Sequence, residues 1–216
     1  MQNALNSGFH FFPNYGYLVE DIPLDIFAEI RKEVRKIKSN MENFPSVNSL
    51  LTGNIEKEFT LTECNKTLEP YVLRLVKSYD DHFNYIKSIN SLDTDLPLGL
   101  TQLWVNFQKK HEFNPNHNHS GVFSFVIWVK LPYELKEELD ASPGKYSNGN
   151  VASAFQFTYS DTLGNLRTHS LFLDKSSEGK ILLFPNKMIH CVYPFYTSDE
   201  YRISVSGNIS LKVKND

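Results

Sequence analysis

Histidines at two places in the chain have the residue type and spacing that metal chemistry needs. His117 and His119 flank Asn118, directly after the run N-P-N at 114–116. Alternate residues that enter a strand point the same way, so both imidazoles can chelate one metal ion from a loop–strand junction. Two polar loop residues beside a turn are the competing interpretation, because a short motif is weak without structural context.

The C-terminal third of the sequence supplies a third histidine and an arginine. The run G-K-I-L-L-F-P at 179–185 predicts a strand that ends at a proline, and His190 follows five residues later. On the next predicted strand, Arg202 and Ser204 share one face. An arginine on the inner face of a strand is costly to bury unless an anion meets it. A carboxylate of the protein itself would serve equally well as that anion.

The elements that must position these groups form a helical part followed by a β part. Up to about residue 100, the patterns predict an extended segment over 9–19, helices over 24–38 and 66–89, and a loop over 43–58. From there the apolar period changes to two and predicts strands over 102–108, 122–131, 154–159, 166–173, 181–184 and 201–211. This order favours a closed or two-sheet β structure with helices packed outside. The polar loop over 141–150 is a candidate lid.

The order H-x-H, then G-x-x-x-x-F-P with a distal histidine, then R-x-S, resembles the non-haem iron, 2-oxoglutarate-dependent oxygenases. The run N-P-x-H-x-H-S-G is similar to a branch of that family, prolyl-hydroxylase-like, found in phage and marine bacterial genomes. The resemblance covers residues 100–211 and implies a mainly β (α+β) chain folded as a double-stranded β-helix, a cupin-like jelly roll. It implies one structural domain overall, with residues 1–99 supporting a catalytic core over 100–216 and the N-terminal helices outside the larger sheet.

The resemblance also implies a metal centre. His117 and His190 match the two histidine ligands of Fe(II) in the family, and His119 stands where most members have Asp or Glu. Three imidazoles still suit iron, although they suit zinc, copper and nickel as well. Glu112 and Asp161 are the alternative sources of the missing acid, but neither occupies the family position.

The same resemblance assigns the co-substrate. Arg202 matches the residue that pairs with the distal carboxylate of 2-oxoglutarate, and Ser204 matches its hydroxyl neighbour. A guanidinium suits a planar carboxylate because it can donate two parallel hydrogen bonds. Asn106, on the strand over 102–108, is expected to line the same cavity, with Trp104 and Gln108 on the same strand face as the alternatives. The implied partners are therefore 2-oxoglutarate, O₂ and a peptide or small-molecule substrate.

Two other metal sites compete with this interpretation. A cupin would need a Glu a few residues after the H-x-H, where this chain has Ser124 and Phe125. A zinc site that includes Cys191 would need a local bend, because Cys191 and His190 are adjacent on a strand and point to opposite faces. The remaining histidines are expected to be structural: His10, His82, His111 and His169.

Composition excludes several classes of function. The 216 residues are 41% hydrophobic and 22% charged, which is ordinary for a globular chain. A net charge of −3 and a pI near 6.2 give no basic field for nucleic acid, and no apolar run has the length of a membrane span. Two cysteines make no disulfide framework, so a cytoplasmic location is expected, in a bacterial host if the protein is phage-encoded.

The expected activity is hydroxylation of a peptide side chain or a small polar metabolite. A non-catalytic, virion-associated module that keeps a metal-binding jelly roll is the alternative. The sequence leaves the oligomeric state open.

Overall fold

The computed structural model describes residues 7–9, 12, 14–89 and 97–212. His10 and parts of the predicted segment 9–19 lie outside the described residues. The strands are β1 Leu18–Asp21, β2 Glu58–Thr60, β3 Leu98–Gln108, β4 Asn114–His117, β5 Phe123–Lys130, β6 Phe155–Ser160, β7 Leu166–Leu171, β8 Lys180–Pro185, β9 Ile189–Val192 and β10 Arg202–Leu211. The α-helices are α1 Leu24–Ser39, α2 Asn65–Phe83 and α3 Leu135–Ala141.

The strands form two antiparallel sheets. The larger sheet has the order β1-β8-β5-β10-β3-β2, and the smaller sheet has the order β4-β9-β6-β7. From β3 to β10 the chain passes repeatedly between the sheets, so that most neighbours within a sheet are distant in sequence, and β6 and β7 are the consecutive strands that pair directly. This is the topology of a double-stranded β-helix, and it confirms the fold class predicted from the sequence.

The larger sheet is apolar on one face and mixed on the other. Ile203 and Val205 of β10 belong to a core cluster with Ile30 of α1 and Leu68 of α2, so the helices cover this face. The opposite face looks toward the smaller sheet. There a second cluster joins large-sheet side chains such as Trp128 to Phe155 and others of the smaller sheet. Arg202 and Ser204 alternate with the apolar residues of β10 and therefore point into this interior.

The second helix ends six residues earlier than the sequence predicts. Asn84 adopts a left-handed conformation with φ 51°, and its N–H donates to Asp80 O over 2.7 Å. A left-handed residue terminates an α-helix, and the side chain of Asp80 then accepts from Ile86 N. Only a single 3₁₀ turn, Ile86–Ser88, follows.

The predicted loop over 43–58 also holds more structure than expected, because β2 begins at its last residue. The division into residues 1–99 and 100–216 stays a prediction, although apolar side chains from both parts share one core cluster. None of the described helices is long and apolar enough to cross a membrane.

Candidate metal centre and the adjoining cavity

Three histidines meet where the smaller sheet faces the interior. His117 is the last residue of β4 and lies opposite His190 of β9 in the strand register. His119 follows two residues later, in the turn that leads to β5. One ring nitrogen of each residue lies within 4.8 Å of the others. The structure thus brings together the three ligands that the spacing predicts, in a geometry that one metal ion can bridge.

Backbone carbonyl groups orient two of the three rings. His117 Nδ1 lies 2.7 Å from Pro115 O, and His190 Nδ1 lies 2.9 Å from Met188 O. A carbonyl oxygen only accepts, so in each neutral ring Nδ1 carries the hydrogen and Nε2 keeps its lone pair. Each of these histidines therefore presents Nε2 to a metal, with the tautomer fixed by the second hydrogen bond.

Burial keeps the imidazoles neutral. It is the largest cause that lowers the pKa of all three, to about 4 for His119 and about 3 for His190. The neighbouring His117 adds a repulsive contribution to the pKa of His119 and His190. Neutral imidazoles bind a metal ion at neutral pH without first losing a proton.

Asn186 holds the turn that carries His119, and the sequence analysis did not single it out. Its side-chain Nδ2 donates to His119 O, and its backbone carbonyl oxygen accepts from His119 N, both over 2.9 Å. The side chain is fully buried in the turn between β8 and β9. Its only sequence signal is an asparagine directly after a strand-ending proline, which is too common to predict this contact.

One side of the metal centre is aromatic and the other opens into a cavity. The His190 ring is stacked on Phe155 with centroids 5.2 Å apart, and Phe184 meets it at 4.8 Å. His117 and His119 line a cavity of about 550 Å³. Trp104 lines the same cavity, and its ring lies 6.0 Å from that of His119.

Arg202 is buried at the start of β10 without an acidic partner. Its guanidinium donates to four neutral acceptors: Gln108 Oε1 at 3.0 Å, the Tyr133 hydroxyl at 3.1 Å, Ser153 O at 3.2 Å and Tyr193 O at 2.7 Å. Among the described residues, no carboxylate lies within ion-pair distance of Arg202. The protein carboxylate that the sequence analysis left open as a partner is therefore not found there.

Between Arg202 and His119, side chains of β3 and β10 face each other in successive pairs. In the register of these strands, Arg202 faces Gln108, Ser204 faces Asn106, and Ser206 faces Trp104, which contacts His119. Asn106 Nδ2 donates to Ser204 Oγ over 3.2 Å. The three residues predicted to bind or adjoin the co-substrate do not line the cavity beside the histidines: Arg202, Ser204 and Asn106. They lie farther along the same two strands.

The alternative ligands lie outside the cluster of three histidines. Glu112 accepts from Glu56 N and Lys109 N, and Asp161 pairs with Arg167 in a turn. Cys191 is buried and is not part of the group that could hold the metal.

The remaining candidates are also elsewhere. His169 contacts the Tyr17 hydroxyl over 2.8 Å, and the His111 ring lies 5.4 Å from that of Tyr196. The candidate lid over 141–150 is held by hydrogen bonds among its own residues; for example, Ser142 Oγ donates to Asn150 Oδ1. None of its residues lines the cavity beside the histidines.

Glu58 is a titratable residue of the cavity that the sequence analysis missed. It begins β2, opposite Asn106 of β3, and only 1% of its surface is exposed. Its Oε2 has no hydrogen-bond partner among the described residues. Burial, followed by the negative charge of Glu112, raises the pKa of the Glu58 carboxyl to about 7.

Comparisons with known proteins agree with this architecture. Residues 102–208 match the model of a family described as "Putative 2OG-Fe(II) oxygenase". A search of curated protein sequences gives no match. Among solved structures, the fold is similar to a prolyl-4-hydroxylase from Pseudomonas putida, with a TM-score of 0.57 and 12% identity over 92% of this chain and 94% of that one.

Two further structures are similar at the level of the fold. AviO1 from Streptomyces viridochromogenes gives a TM-score of 0.52 with 10% identity over 93% of this chain and 91% of its own. SnoN, a non-haem α-ketoglutarate-dependent epimerase from nogalamycin biosynthesis, gives 0.50 with 13% identity over 91% and 76%. The family match extends from β3 into β10, across the strands of the double-stranded β-helix. The chain therefore belongs to the 2OG-Fe(II) oxygenases, oxidoreductases that use Fe(II) and 2-oxoglutarate.

Proposed function

We propose that this oxygenase is a hydroxylase in which His117, His119 and His190 hold Fe(II). The observation that carries the proposal is the convergence of three neutral imidazoles beside a cavity of about 550 Å³. Imidazole is a suitable donor for iron, and two of the rings are already oriented by backbone carbonyls. When bound, Fe(II), 2-oxoglutarate and O₂ supply the oxidation of a substrate C–H bond, and 2-oxoglutarate is converted to succinate and CO₂.

We propose further that Arg202 binds the distal carboxylate of 2-oxoglutarate, assisted by Ser204 and with Asn106 beside them. The support is a buried guanidinium that meets only neutral acceptors, since such a charge is stabilised further by an anion. The Tyr133 hydroxyl accepts a hydrogen bond from Arg202 and would lie beside the bound carboxylate. Arg202 would thus orient the co-substrate, while Phe155 and Phe184 keep water from the far side of His190.

The proposed substrate is a peptide side chain or a small polar metabolite, with a protein substrate favoured. The cavity beside the histidines has polar and aromatic walls, and the fold resembles a prolyl-4-hydroxylase. The net charge of −3 does not favour a nucleic-acid backbone. A relation to phage and marine bacterial members and a cytoplasmic location stay predictions from the sequence.

Succinate release tests the proposed function. The full chain, supplied with Fe(II) and 2-oxoglutarate, is assayed against peptides, free amino acids and oligonucleotides, with a His117→Ala/His190→Ala double variant as the control. Stimulation by a peptide or an amino acid, absent in the double variant, would support a hydroxylase. Stimulation by oligonucleotides alone would overturn the substrate class, and no stimulation by any substrate would favour the non-catalytic module.

A further inference from the structure

Among the described residues that line it, the cavity beside the metal centre has one carboxyl group and no Lys or Arg. Among the twenty described residues that line it, Glu58 is the only Asp, Glu, Lys or Arg. The other polar residues of the wall are histidines, neutral amides and hydroxyls. A cavity lined in this way favours a ligand that is positively charged, because such a ligand meets no like charge there.

The environment of Glu58 reinforces this preference. The other titratable group that shifts the pKa of Glu58 is Glu112, another carboxylate. The neighbouring lysines are engaged elsewhere: Lys57 Nζ lies 5.7 Å from the centroid of the Tyr201 ring, and Lys109 Nζ pairs with Glu56 over 2.5 Å. A carboxyl that is 1% exposed and has an unpartnered oxygen is costly to keep in a fold. A donor from a ligand would satisfy that oxygen.

Two amide oxygens of the same wall are also buried without a partner. They are Asn65 Oδ1, at the start of α2, and Asn114 Oδ1, at the start of β4. Gly53 leaves room for the second of these amides, because a Cβ at Gly53 would lie 2.1 Å from Asn114 Oδ1 and 3.4 Å from Glu58 Oε1. Glu58 and Asn114 therefore border one small space, and each has a carboxyl or amide oxygen without a donor. Asn65 Oδ1 is a third such oxygen on the wall of the same cavity.

We propose that Glu58, with Asn65 and Asn114, forms a substrate subsite for a cationic nitrogen group, such as the ammonium of a lysine-like or the guanidinium of an arginine-like side chain. The inference deepens the proposed function, on which it rests for calling the ligand a substrate. Such groups carry several N–H donors for the three unpartnered oxygens and a positive charge that pairs with the Glu58 carboxylate. Trp104, on the same wall, offers an aromatic face of the kind that stabilises a cation.

A matched pair of ligands tests the charge preference without any turnover. Nα-acetyl-arginine amide and Nα-acetyl-citrulline amide have the same shape and similar N–H donors, but only the first is charged. Their dissociation constants are measured by ligand-observed NMR titration on the full chain, for the wild type, Glu58→Gln and Glu56→Gln. Glu56 is an exposed carboxylate two residues away, so it controls for general electrostatic attraction.

We expect the wild type to bind the arginine compound at least about tenfold more tightly than the citrulline compound. The ratio should fall to about one in Glu58→Gln and stay high in Glu56→Gln, with thermal melting to confirm that both variants fold. Gly53→Ala, whose Cβ displaces the Asn114 amide, provides a second variant that should also reduce the ratio.

Equal affinity for the two compounds in the wild type, or no binding of either, would overturn the subsite. A preference that persists in Glu58→Gln would do the same. Because the readout is binding, a charge preference without succinate release would support the subsite and count against the hydroxylase. Succinate release without a charge preference would have the opposite meaning.

Discussion

His117 and His190 lie opposite each other on adjacent antiparallel strands, and their ring centroids are 4.3 Å apart. Each ring is turned by a carbonyl group two residues before it in the sequence, Pro115 for His117 and Met188 for His190. The strand register and two local hydrogen bonds are thus enough to aim both lone pairs at one point, which His119 completes from the following turn.

The double variant His117→Ala/His190→Ala is expected to lose the metal. Removing two of three ligands leaves a single imidazole, which does not hold a divalent ion against solvent. Anaerobically purified wild type should contain about one iron per chain by elemental analysis, and the double variant close to none. Unchanged iron content in the variant would rule out this site.

Asn186→Ala is expected to weaken metal binding although Asn186 is not a ligand. The substitution removes the bond from Nδ2 to His119 O and leaves the turn less well fixed. Loss of a group that orients a ligand typically reduces metal affinity by about 10- to 100-fold. Competition with a chromophoric chelator measures this change, and Asn40→Ala on the exposed end of α1 is the control. An affinity equal to that of the wild type would exclude the positioning role.

Arg202→Ala is expected to weaken 2-oxoglutarate binding by roughly 2–5 kcal/mol if Arg202 is the carboxylate partner. Calorimetric titration of the metal-loaded protein measures the effect. Arg202→Lys keeps the charge but not the paired donors, so its affinity should lie between those of the other two proteins. Identical affinities in wild type and Arg202→Ala would reject the assignment.

The metal-free protein is expected to lose stability as the pH falls below about 6.5. The unfolded state then protonates histidines near their ordinary pKa, while burial keeps the pKa of His190 at about 3 in the folded state. His190→Gln should remove one such group. The slope of the free energy of unfolding against pH should then fall by about 1.4 kcal/mol per pH unit between about pH 6 and pH 4. Chemical unfolding at several pH values provides the measurement, and equal slopes would contradict the buried neutral state of His190.

Glu58 should affect stability in the opposite direction. Its folded pKa is raised to about 7, so above about pH 4.5 the unfolded state loses the proton while the folded state retains it. The contribution of Glu58 to stability therefore falls as the pH rises from about 4.5 to about 7, and Glu58→Gln lacks this contribution. Relative to wild type, the variant should be more stable at pH 8 than at pH 5 by about 2–3 kcal/mol. A stability difference between variant and wild type that is the same at pH 5 and pH 8 would contradict the raised pKa of Glu58.

Local patterns predicted the six strands β3, β5, β6, β7, β8 and β10, and they singled out the three histidines that the structure brings together. R-x-S lies on β10, whose period of two is visible in the sequence, whereas His117 and His190 lie on the four-residue strands β4 and β9, which have no periodic signal. The spacing of the motifs, rather than strand periodicity, predicted that the three histidines converge. The apolar stripe of α1 likewise predicted its buried residues Ile30, Val34 and Ile37.

Features that depend on contacts between distant residues could not be predicted in this way. Asn186 acts through a hydrogen bond to a residue 67 positions earlier. Glu58 is buried only because the three-residue β2 pairs with β3, and such a short strand has no periodic signal. The early end of α2 depends on the left-handed conformation of Asn84, which an otherwise helical pattern conceals.

The pairing of β4 with β9 has a further consequence for folding. His117 and His190 are 73 positions apart in the sequence, so an ion that binds both acts as a reversible cross-link across most of the barrel. Closing a long loop removes conformational freedom from the unfolded chain, and the cost of closure grows only slowly with loop length. Metal occupancy and the integrity of the smaller sheet are therefore thermodynamically linked: each is favoured by the other.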